Sequence, residues 1–186
     1  MISVISALDW VWLVLVLGVL LTLGFWLSWT AQRLDRMHHR IDVARATLRA
    51  QLLRRSGAAL ELATSSTLDP ARSLLLVDAA HEARAAENDD VESAESDLSE
   101  TLRAVLDDAD ELRAMRDDPA LGPLLDELAG DCRKVELARR IHNDVVVSAR
   151  SLHSRRRVRW LRLAGGATVL STVDLDDVPP SALVLE

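Results

Sequence analysis

The 186-residue chain has no tyrosine, one phenylalanine, one cysteine, seven glycines and five prolines. A lone Cys132 excludes an internal disulfide and fits a reducing compartment. Beyond residue 30 the only aromatic is Trp160, so a core there must be built from Leu, Val, Ile and Ala. β-Branched residues are sparse and helix formers abundant, which argues for helices over sheets. Aromatic residues are not interleaved with the arginines except at Trp160, so a stacking platform for nucleic acid is not expected. Nor is there a glycine-rich phosphate loop: Gly165-Gly166-Ala167-Thr168 lacks the lysine and the spacing.

Charge is missing altogether from one stretch. Trp10 to Trp29 is a run of 20 uncharged residues, WVWLVLVLGVLLTLGFWLSW. As a helix it is about 30 Å long, the thickness of a bilayer core. Trp10 and Trp12 mark one end and Trp26 and Trp29 the other, where amphipathic rings favour the headgroup level. Only Asp9 precedes the run, whereas Arg33, Arg36, Arg40, Arg45 and Arg49 follow it. Basic flanks stay on the cytoplasmic side. The expectation is a single-pass bacterial membrane protein with residues 1–9 outside and the remainder in the cytoplasm. A cleaved signal peptide would need a basic start and a shorter apolar core.

The net charge of −7 hides a segregation. Residues 87–118 carry 13 acids and 3 Arg, residues 33–55 carry 7 Arg and 2 Asp, and residues 133–162 carry 10 basic residues and 2 acids. Apolar residues recur at three- and four-residue steps in four segments, the pattern of helices sharing a core. The expected helices span about 30–64, 70–87, 90–117 and 123–164. Asp69-Pro70 reads as an N-cap followed by proline in the first turn, and Asp89 with Glu92 as a capping box. Short turns make neighbours antiparallel. The expected fold is all-α: an N-terminal transmembrane helix continuing into an antiparallel three- to four-helix bundle over 30–166. Residues 167–186 then form a tail with a short extended piece at 169–175.

Equal rise along antiparallel first and fourth helices sets residue 30 level with about 163, and Gln51 with about 142. A register-fixing polar cluster of Gln51, Arg54, Arg55, Arg139, Arg140, Asn143 and Asp144 is therefore expected. In it Asp144 pairs with Arg54 or Arg49, and Asn143 bonds Gln51. The fourth helix is long enough to return to the bilayer. Its end, Arg155, Arg156, Arg157, Arg159, Trp160 and Arg162, would make a second membrane-surface contact, each basic residue contributing about 1 kcal/mol.

Two segments carry a resemblance. Gln51-Leu52-Leu53-Arg54-Arg55 and Ala138-Arg139-Arg140-Ile141-His142-Asn143-Asp144-Val145 are similar to two signature stretches of the LemA family of bacterial membrane proteins. Ser56-Gly57-Ala58 stands where that family has a Pro-Asn kink, and the family's aromatic-rich C-terminal segment is missing. The chain resembles a divergent member. The resemblance implies a membrane-anchored helical bundle without catalytic residues.

No catalytic, metal or cofactor site is expected. His38 and His39 are adjacent and point about 100° apart on a helix. His81-Glu82 lacks the second histidine of a zinc-protease helix. The expected function is non-enzymatic: a cytoplasmic interaction or scaffold module held at the bilayer. Its unknown protein partner would dock on the acidic third helix or the tail, and self-association is open. The alternative is a signal relay through the continuous first helix.

Overall fold

A computed structural model describes residues 7–65, 68–153 and 171–184. Every regular element among them is helical. α1, Ala7–Thr64, runs unbroken for 58 residues. Gly57 lies within it without interrupting it. Hydroxyls close its last turn: Thr64 Oγ1 donates to the Leu60 carbonyl at 3.0 Å and Ser65 Oγ to the Leu62 carbonyl at 2.6 Å. α2, Pro70–Ala85, begins on Asp69, whose Oδ2 accepts from the amides of Ala71 at 3.0 Å and Arg72 at 3.4 Å.

The expected capping box does not form. A 3₁₀ turn over Asn88–Asp90 precedes α3, Val91–Val105, and Asp90 occupies the cap position without a side-chain bond. Asn88 has φ 54°, a left-handed conformation that asparagine tolerates better than most residues. Glu92 is engaged elsewhere, accepting from the Asp174 amide at 3.2 Å.

The third expected helix is two. α3 ends at Val105, and α4 is Ala109–Arg116. The chain turns because Asp108 Oδ1 accepts from the amides of Asp110 at 2.9 Å and Glu111 at 3.2 Å. A short acidic side chain that binds nearby amides favours a helix start over a helix interior. α5, Gly122–His153, follows after a turn over residues 117–121. A Cβ on Gly122 would lie 2.6 Å from the Arg116 carbonyl oxygen, so this joint needs glycine.

Among the described residues three apolar clusters lie along the bundle. The largest joins α1, α2, α3, α4 and α5 through Ala59, Leu62, Leu76, Ala80, Leu98, Leu102, Leu112, Leu125, Leu128 and Cys132. Each fully buried leucine contributes roughly 1.5–3 kcal/mol. Towards the other end Leu48 and Leu52 of α1 meet Val135 and Ala138 of α5, and Ile41 meets Val146 and Ala149. Gln51 is thus level with the 135–138 turn, about six residues from the expected register.

The tail is part of the fold. Residues 171–180 have no regular secondary structure, and α6, Ser181–Val184, is a single turn. Leu175 completes the second cluster, and Ala182 and Leu183 enter the largest one. We call residues 171–184 the strap.

The apolar N-terminal part of α1 is uncovered. All side chains described over residues 10–26 are exposed, Leu17 by 52% and Phe25 by 74%. Among the described residues no helix is long and apolar enough to cross a membrane. A bilayer span is therefore not among the elements shown; what is shown is a helical bundle.

Candidate functional site: a polar groove that holds the strap

Glu92, Ser96, Ser99 and Arg103 follow one another at three- and four-residue steps on α3, and on α5 His142 and Asn143 lie three and four residues beyond Arg139. These two stripes grip the strap. Asn143 holds both backbone groups of Val173: Nδ2 donates to its carbonyl at 2.9 Å and Oδ1 accepts from its amide at 2.9 Å. The Asp176 amide donates to Ser96 Oγ at 3.0 Å, and Ser99 Oγ donates to the Asp176 carbonyl at 2.6 Å. Arg103 donates to the Val178 carbonyl at 2.8 Å and to Asp176 Oδ2 at 2.6 Å. Arg139 forks onto Asp177, Nε to Oδ2 at 2.6 Å and Nη2 to Oδ1 at 2.9 Å. This bidentate geometry is the strong form of an arginine–carboxylate pair. Arg116 closes the far end by donating to the Leu183 carbonyl at 3.0 Å.

Behind the groove lies a buried ion pair. Arg55 of α1 is 1% exposed and Glu95 of α3 is 2% exposed. Arg55 Nη2 donates to Glu95 Oε2 at 2.6 Å and to the Glu95 carbonyl at 2.9 Å, while Nη1 donates to Ser99 Oγ at 2.8 Å. Ser99 therefore accepts from α1 and donates to the strap. Burial pushes the Glu95 carboxyl above its usual range, and the Arg55 guanidinium opposes that without cancelling it. Taking two charges out of water costs several kcal/mol per ion, which attraction repays only with good geometry. The pair's value lies in setting how α1 sits on α3.

Two groups make the strap sensitive to acid. His142 is buried, with Nδ1 unpartnered and a hydrogen bond to the Ser171 backbone. Burial pushes its pKa down against that bond, and the charge of Arg45 adds to the shift. The neutral imidazole suits the fold, so its contribution is full above the ordinary value of ~6.5 and lost as pH falls through the lowered value. The Arg103 hydrogen bond holds the Asp176 carboxyl below its usual range. That contribution is full above ~3.9 and also lost on acidification. Hydrogen exchange at residues 172–178 should therefore accelerate, relative to α2, as pH drops from 7 to 5, and further towards 3. Unchanged relative protection over that range would contradict the assignment.

The expected seven-residue cluster divides into separate parts. Arg55 joins α3, Arg139 and Asn143 hold the strap, and Arg140 pairs with Glu136 on its own helix. Gln51 does not bond Asn143; its Oε1 is buried without a partner. Arg54 and Asp144 are exposed, and no Asp144 ion pair with Arg54 or Arg49 is found among the described residues. The cause is the register: the helices meet about six residues away from the setting extrapolated from the apolar end. Trp10, Trp12, Trp26 and Trp29 are all exposed on α1. Arg155, Arg156, Arg157, Arg159, Trp160 and Arg162 lie outside the described residues.

Sequence reasoning missed Glu95, Ser99, Arg103, Asp176 and Asp177. Glu95 and Ser99 each follow a buried apolar residue, Ala94 and Leu98, and so edge the core stripe instead of opposing it. That offset was the available signal. Among the described residues no group of three or more His, Cys, Asp or Glu is arranged to hold a metal. Compared with known proteins, the chain matches no family model, no curated protein and no solved structure.

Proposed function

We propose that the protein is a non-enzymatic, single-pass membrane protein of LemA type, whose helical bundle is a docking or scaffold module at the cytoplasmic face. The observation that carries this reading is the exposed apolar N-terminal part of α1, continuous with a well-packed bundle. An uninterrupted apolar surface of this extent marks an interaction site, and its uncharged sequence runs for 20 residues, Trp10 to Trp29, enough for a bilayer core. Lipid is the occupant that suits it on every side. α5 is antiparallel to α1 and runs towards the apolar end, which supports a second contact by the arginines that follow His153. The LemA-like segments supply Arg55, Arg139 and Asn143, which act together around the strap.

Flotation with liposomes tests the anchor. The full chain should remain with the lipid after alkaline carbonate washing. Leu17→Arg combined with Leu20→Arg, at about 2.5–3.5 kcal/mol each near the span centre, should release most of it while helicity persists. Release of the wild-type chain by carbonate would overturn the reading. Neutralising the five arginines of 155–162 should weaken binding to anionic vesicles and leave neutral ones unaffected.

A signal relay is the second reading. It is favoured by the continuity of α1, which carries Arg55 about 39 Å beyond Trp29 and onto the Ser99 hydroxyl that holds the strap. Crosslinking in the native membrane separates the two: a transporter or kinase as partner supports relay, lipid and self alone a structural role.

A further inference from the structure

The strap is held as a peptide ligand is held. Side chains from two helices read its backbone at Val173, Asp174, Asp176 and Val178, and any extended chain offers those groups. Selectivity comes from three positions. Leu175 is seated with Leu48, Leu52, Val135 and Ala138, while Asp176 and Asp177 reach Arg103 on α3 and Arg139 on α5. Extended ligands are commonly recognised this way, main chain for affinity and pockets for specificity.

The groove does not depend on the strap for its backbone. Its groups project from α3 and α5, whose hydrogen-bond ladders are internal to each helix. The link from His153 to Ser171 is 17 residues, 154 to 170. Ser171 bonds His142, eleven residues back along α5 and therefore about 16 Å away. A 17-residue chain reaches about 56 Å when extended. Departure of the strap requires no helix to unwind.

We propose that the α3–α5 groove is a recognition site for an extended acidic segment of a partner protein, with apolar–Asp–Leu–Asp–Asp chemistry, and that the strap is its resident ligand in cis. Charge complementarity selects this partner: the two arginines that pair with the ligand's carboxylates come from opposite walls, and the groove's most buried acid, Glu95, is already paired by Arg55. The inference rests on the docking part of the proposed function and is independent of the membrane anchor.

The experiment uses the full chain in detergent micelles, with a photo-crosslinking residue at the exposed position Val178. Irradiation should give intrachain crosslinks to α3. A synthetic peptide of residues 171–184 should suppress them with a midpoint on the order of millimolar, the effective concentration of a tethered ligand. A chain carrying Leu175→Ser and Asp177→Arg should bind the labelled peptide at least about ten-fold better than wild type, its groove being vacated. Arg139→Asp added to that chain should abolish binding, and a peptide with Asp177→Arg should restore it. Persistence of the wild-type crosslink at saturating peptide would overturn the proposal, whether or not the substituted chains fold. Crosslinks between two copies, without displacement by peptide, would overturn it in favour of strap exchange. Flotation behaviour is scored separately, so loss of the anchor reading leaves these outcomes unchanged. Displacement by peptide without any protein captured in native membranes would count against the docking reading alone.

Discussion

Arg55→Met should lower the unfolding free energy by about 3–5 kcal/mol, the usual loss when one member of a buried ion pair is removed. The substitution preserves much of the side-chain volume, so the loss is electrostatic in origin. It leaves the Glu95 carboxylate buried without its cation, and it removes donors from the Glu95 carbonyl and from Ser99 Oγ. Glu95 already sits above its usual range, and without Arg55 it rises further. A carboxyl raised in the folded state contributes fully below its unfolded value of ~4.3 and loses that contribution as pH rises towards the folded value. The deficit should therefore be larger at pH 8 than at pH 5. Adding Glu95→Leu should recover most of it, since an apolar pair of similar volume replaces a buried ion pair at little cost. Urea unfolding followed by circular dichroism on the detergent-solubilised chain measures both effects. A single-substitution loss below 1 kcal/mol, or no recovery in the double variant, would show that the pair is not a structural unit.

Leu183→Ala should unlatch the strap. Leu183 is 1% exposed and enters the largest cluster, against α4 and α5. Leucine-to-alanine changes in such sites cost about 2–5 kcal/mol. Here the loss should fall on one segment, because the strap is joined to the bundle by side-chain bonds and a few apolar anchors, Leu175, Ala182 and Leu183. Amide exchange over 171–184 should accelerate by about 30-fold or more, the equivalent of 2 kcal/mol, while α2 and the middle of α5 keep their protection. If protection fell uniformly through the bundle, the strap would be an inseparable part of the core.

The helical architecture was legible because its signals are local and repeated. The stripe Ile41, Ala44, Leu48, Leu52, Ala59, Leu62 is buried on α1 as its spacing requires, and Asp69-Pro70 starts α2. Signals that compete locally were misread. The apolar stripe continues from Val105 through Ala109 to Leu112, yet the Asp108 cap turns the chain between them. Asp89 and Glu92 have capping-box spacing, but Glu92 is drawn to the strap amide of Asp174. The candidate site was half legible. Arg55, Arg139 and Asn143 were singled out, whereas their partners Glu95, Asp177 and Val173 lie 38 to 40 or 30 positions away. No periodicity links groups so distant in the chain when one of them belongs to an irregular segment.

The clusters along α1 are unequal. At the far end five helices and α6 enclose the largest of them, whereas around Ile41 the described residues bring α1 and α5 together, through Val146 and Ala149. Among the described residues, fewer helices thus pack together near the apolar run than at the far end of α1. A tilt or rotation of the first thirty residues would have to pass through the α1–α5 pair before it reached Arg55. Stapling that pair with a disulfide between α1 and α5 would stiffen the joint and couple the two ends mechanically.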